Sequence, residues 1–109
     1  MRQYTNKEQT QHLIKLGFPR PESISEVNYY DEAYTTETEF EYDYSIGELI
    51  SFLESYVEDA TDELLIWKDS IFWHTRLTSD NVGSGCDVEL INALYNYLVE
   101  LKEYEAEHD

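Results

Sequence analysis

Basic residues are scarce in this chain, and between Pro21 and Trp67 there are none for 47 residues. Seven Lys and Arg stand against 24 Asp and Glu, a formal charge of -17 over 109 residues. Seven scattered cations form no stripe, and a field of this sign repels both nucleic acid and anionic lipid. Direct nucleic-acid binding and membrane-surface binding are therefore not expected. Cys86 is the single cysteine. It can form no intrachain disulfide and no multi-cysteine zinc site. The four glycines build no phosphate-cradling motif and no Gly-x-Ser-x-Gly elbow. No apolar run approaches the length of a membrane span, and the polar start, Met1 to Lys7, has no apolar run behind it as a signal peptide would. A cytoplasmic location is the expectation.

Aromatic residues are well represented, at 15% of the chain. Disordered acidic chains lack them, so the charge sits on a folded body. The length suits a single domain over residues 1–109. The stretch without basic residues holds fourteen carboxylates and six of the ten tyrosines.

Thr5 and Glu8 are spaced as a capping box, which predicts a helix from about Asn6 to Leu16, with Gly17 as a left-handed cap and Pro19 and Pro21 beyond it. Residues 22–35 are ambiguous: Val27, Tyr29 and Tyr30 suit a short strand, and Asp31-Glu32 a turn. Over residues 36–44, Glu37, Glu39, Glu41 and Asp43 alternate with Thr38, Phe40, Tyr42 and Tyr44. Period two predicts a strand with an acidic face and an aromatic face. Ser45 and Glu48 form a second capping box, ahead of a helix to about Val57 with a stripe of Ile46, Leu49, Ile50, Leu53 and Val57. Leu64–Lys68 and Ile71–Thr78 predict a hairpin turning at Asp69-Ser70, with Ile71, Trp73, Thr75 and Leu77 on one face. Ser79 to Gly85 reads as a loop and Asp87 as an N-cap. A last helix runs to about Tyr104. Its apolar stripe, from Val88 and Ile91 to Leu101, is wide enough to lie across a sheet. The sum is an α+β fold: a small antiparallel sheet of three to four strands with about three helices packed mainly on one face.

Leu13-Ile-Lys-Leu-Gly-Phe-Pro-Arg-Pro-Glu-Ser-Ile, Tyr44-Ser-Ile-Gly-Glu-Leu-Ile-Ser-Phe-Leu and Glu89-Leu-Ile-Asn-Ala-Leu-Tyr together resemble small uncharacterised acidic proteins of Bacteroidetes genomes, their phages and mobile elements. The resemblance covers most of the chain. It implies a bacterial or phage cytoplasmic origin, near genes of the conflict between host and mobile element. That family has no assigned activity, so it carries over no catalytic residue and no cofactor.

For function, the acidic strand is the sharpest feature. Alternate residues on a strand lie about 6.6 Å apart. Glu37, Glu39, Glu41 and Asp43 thus form a line of charge pitched like successive phosphates, with Tyr42 beside it. Such a line can occupy a basic groove meant for DNA or RNA. It is also what an edge strand carries, and more commonly so, to discourage pairing with other chains. Asp59, Asp62 and Glu63 could meet a cation only loosely, and the EF-hand order of acids is absent, so no metal site is expected. His12, His74 and His108 are scattered, and Cys86 has no sequence-adjacent histidine, so no catalysis and no cofactor are expected. The expected function is a non-catalytic acidic module that binds a basic protein, in its sharper form a nucleic-acid mimic. The alternative is an accessory protein whose acidity serves solubility. Lys68 and Arg76 would offset the acidic strand if the hairpin lay beside it.

Overall fold

Polar chemistry at the helix ends decides where each helix begins. The computed structural model describes residues 1–32, 35–79 and 83–107, of which residues 26–32 and 35–40 are described through their backbone. The element order is α1 (Lys7–Lys15), β1 (Ile24–Glu32), β2 (Thr35–Tyr42), α2 (Ile46–Glu54), β3 (Leu64–Lys68), β4 (Trp73–Leu77), β5 (Gly85–Asp87) and α3 (Leu90–Glu107). The α+β class is as expected.

Helix α1 starts one residue later than its first capping signal suggests. Asn6 is the N-cap, and its side chain and that of Gln9 bond each other's backbone amides. Thr5 is drawn away because its hydroxyl is needed in the interior, where only 3% of it is exposed. The helix stops at Gly17, whose φ of 102° only glycine adopts freely. The amide of Gly17 bonds the Ile14 carbonyl and that of Phe18 the Leu13 carbonyl, the paired bonds of a Schellman cap. Helix α2 begins at the expected box of Ser45 and Glu48.

The strands fall into two sheets, β1-β2 and β3-β4-β5, all antiparallel. Asp31 and Glu32 continue β1 instead of turning, and residues 33–34 lie outside the described residues. The hairpin β3-β4 turns through four residues, Asp69 to Phe72, because Lys68 pairs with Trp73. Its register puts Trp73, Thr75 and Leu77 on the core side, as their alternation predicts; Ile71 is drawn into the turn and exposed. Gly85 to Asp87 form a strand where a loop and a cap are expected, and residues 80–82 of that predicted loop lie outside the described residues. Asp87 still serves the helix: its carboxylate accepts from the Glu89 amide and the Asn92 side chain.

The core lies between α3, α2 and the three-stranded sheet. Ile91, Leu94, Tyr97 and Leu98 of α3 are fully buried with Leu49 and Leu53 of α2, Leu13 of α1 and Tyr44. Val88 precedes the helix and is exposed, so the stripe begins at Leu90. The width of that stripe is explained by two neighbours: α3 meets β4 and β5 on one side and α2 on another. The Tyr97 hydroxyl accepts from the Leu77 amide at 2.8 Å, fixing α3 to β4. Among the described residues no helix is long and apolar enough to cross a membrane.

Candidate interaction surface

Several acidic residues of this chain are held by hydrogen-bond donors within it. Three of the five predicted partner-binding residues have described side chains. Glu41 and Tyr42 are exposed, and Asp43 is half-buried. The side chains of Glu37 and Glu39 lie outside the described residues, but their backbone positions are set by register. Glu37 stands opposite Tyr30, Glu39 opposite Asn28 and Glu41 opposite Glu26. Directly opposed residues share a face of an antiparallel pair. The register therefore adds Glu26 to the line of Glu37, Glu39 and Glu41, and Tyr30 and Asn28 intervene. Val27 opposite Phe40 and Tyr29 opposite Thr38 take the alternate positions.

Asp43 belongs to the base of this ribbon. One of its oxygens accepts from the Thr10 hydroxyl and the other from Ser25 Oγ at 2.6 Å. Thr10 has a single proton, which goes to Asp43. Thr5 must then donate to Thr10, 2.7 Å away, while its oxygen accepts from the Tyr44 amide at 3.1 Å. A relay thus runs from the Tyr44 amide through Thr5 and Thr10 to the Asp43 carboxylate. Such chains polarise one another and hold their members in one geometry. Ser25 is the extra residue of a bulge, since Ile24 pairs with Tyr42 and Glu26 with Glu41.

Glu48 holds the other side of the base. Its carboxylate accepts from the Glu22 amide, the Ser23 hydroxyl and the Ser45 amide, so a single side chain caps α2 and grips the approach to β1. Burial raises its pKa, but these donors outweigh burial and hold the carboxyl below the usual range. Tyr44 fills the space behind. Its ring is fully buried and its hydroxyl donates to the Pro19 carbonyl. Burial, with the Glu48 charge adding to it, pushes that phenol up to about 12. Reading the sequence alone missed this clamp. No local signal marks it, because its donors and acceptors lie far apart along the chain.

The hairpin lies in a separate sheet from the ribbon, so Lys68 and Arg76 are not strand neighbours of the acidic line. Lys68 instead sits over the Trp73 ring at 5.7 Å. On the outer face His74 stacks on Trp67 with ring centres 5.1 Å apart, and its Nε2 lies 2.6 Å from the Asp69 carboxylate. His12 is engaged with the Tyr95 hydroxyl at 2.6 Å, and His108 lies outside the described residues. Cys86 is exposed in β5, opposite His74. Asp62 is buried against the Thr78 hydroxyl and the Ser79 amide, each at 2.9 Å, and Asp59 accepts from Thr61. Among the described residues no group of three or more His, Cys, Asp or Glu side chains is placed to hold a metal ion. Comparison of the chain with protein-family models, with curated proteins and with solved structures finds no match.

Proposed function

We propose that the chain is a non-catalytic acidic interaction module, and that its β1-β2 ribbon occupies a basic surface on a protein partner as a mimic of nucleic acid. The observation that carries this reading is the register of the ribbon, which sets Glu26, Glu37, Glu39 and Glu41 in one line beyond a clamped base. Asp43, Glu48, Asp62 and Asp69 accept bonds from donors inside the chain. A line of like charge favours fast, salt-sensitive association with a basic groove.

The test compares wild type with the Glu37→Gln/Glu39→Gln/Glu41→Gln triple variant. Wild type should capture a basic DNA- or RNA-handling protein from a bacterial lysate, and duplex DNA should compete for it. The variant should lose that capture while melting as wild type does, since solvent-face changes usually alter stability by less than about 0.5 kcal/mol each. Equal capture by both proteins, or none by either, leaves the acidity as a solubility feature and removes the mimic.

A further inference from the structure

A cleft of about 500 Å³ opens between the α1-β1 connection, the end of α2 and the last turns of α3. Its wall is aromatic. Phe18 stacks on Phe52 with centroids 5.3 Å apart, Phe52 meets buried Tyr44 edge-on at 5.6 Å, and Tyr56 stands beside them. Two charged side chains reach it, both from α3. Lys102 holds its ammonium 5.4 Å from the centre of the Phe18 ring, and Glu105 lies 3.9 Å from that ammonium. The Tyr56 hydroxyl donates to the same Glu105 oxygen at 3.1 Å. Burial, then the Glu105 charge, pushes the Tyr56 phenol up to about 12, so it stays a donor.

Aromatic faces with a carboxylate at the rim are the chemistry that receives a cation: the ring faces attract positive charge and the carboxylate neutralises it. Here the chain's own Lys102 already stands at that position, its ammonium over the Phe18 ring and 3.9 Å from Glu105. The cleft is several times larger than one ammonium group and keeps room for another side chain. In a protein of charge -17 with seven basic residues, one of those seven is placed over an aromatic ring in an open cleft.

We infer that this cleft receives a lysine or arginine side chain of the basic partner, with Phe18 and Phe52 as its walls, Glu105 as its counter-charge and Lys102 as an internal competitor that the incoming cation displaces. This rests on the acidic-module reading and names a second contact for the same partner. Tyr44 links the two contacts, since it lies two residues beyond the end of β2 and packs on Phe52.

The probe is acetyl-Gly-Lys-Gly-amide, with acetyl-Gly-norleucine-Gly-amide as its uncharged counterpart, in 0.15 M salt. Ring-proton shifts of Phe18, Phe52 and Tyr56 are followed by NMR. The lysine peptide should shift them saturably and the norleucine peptide should not. Lys102→Met should bind the lysine peptide about threefold tighter than Lys7→Met, which makes the same change of net charge at the far end of α1. Glu105→Gln should bind it about threefold more weakly than Glu103→Gln, a charge-matched control on the same helix. Equal shifts by the two peptides would mean an apolar occupant and overturn the assignment. So would unmoved rings, or cleft variants that match their charge controls. Loss of peptide binding to the cleft beside intact capture by the ribbon removes this inference alone. Cleft binding without any captured basic protein removes the mimic reading and leaves a cation site.

Discussion

Gly85 and Ala93 touch through their backbones: a Cβ built on Gly85 would lie 2.1 Å from the Ala93 carbonyl oxygen and 2.7 Å from Tyr97 Cβ. Neither obstacle is a flexible side-chain tip. The close approach lets α3 lie flat on β5, and it requires the smallest residue for steric reasons rather than for its φ.

Gly85→Ala should therefore destabilise the fold by more than about 3 kcal/mol, because the helix must lift from the sheet. For a chain of this size the melting temperature falls by roughly 12 °C or more. Thermal unfolding followed by circular dichroism checks this. A variant that melts within a few degrees of wild type would mean that α3 does not rest on the β5 backbone.

Thr75 faces the same contact. It is fully buried, and its hydroxyl has no hydrogen-bond partner among the described residues. A buried hydroxyl without a partner costs about 1–3 kcal/mol. Thr75→Val keeps the shape and β-branching and removes the unpaired oxygen. It should raise stability by about 1 kcal/mol, read as a higher midpoint in urea with an unchanged m-value. A lower midpoint would show that the hydroxyl has a partner.

The turn of the hairpin should respond to pH. Amides of Phe72 and Ile71 and the ring of His74 bond the Asp69 carboxylate and lower its pKa to about 2. The folded state thus prefers the charged form. Its contribution is complete above the ordinary carboxyl pKa, near 4, and is lost as pH falls through about 2. Asp69→Asn should melt below wild type at pH 7, and the gap should close between about pH 4 and pH 2. Paired melting curves across that range test it. A gap that is constant with pH would show that the carboxylate charge contributes nothing to the turn.

The elements legible in the sequence are those whose signals are local. The box of Ser45 and Glu48, the glycine after α1 and the alternation of Trp73, Thr75 and Leu77 each declare themselves within a few residues, and each stands where expected. What stayed hidden depends on partners far along the chain. Thr5 looks like a cap until Tyr44 and Thr10 compete for its hydroxyl. Gly85 to Asp87 look like loop until β4 supplies the pairing that makes three residues a strand. Asp43 sits in perfect alternation with the acids before it, and periodicity cannot reveal that Thr10 and Ser25 occupy its oxygens. The aromatic cleft joins residues from positions 18, 52, 56 and 105, a grouping that no spacing announces.

The pairing of Ile24 with Tyr42 has an evolutionary consequence. Those two positions are adjacent in space however many rungs lie beyond them, because every further pair lengthens the ribbon without moving its ends. The clamp of Glu48, Asp43 and their donors forms at and below that point. Ribbon length is thereby uncoupled from the folding of the body. Insertion or deletion of residues four at a time, two in each strand, keeps every side chain on its own face and can retune how far the charge reaches while the helices and the second sheet stay as they are.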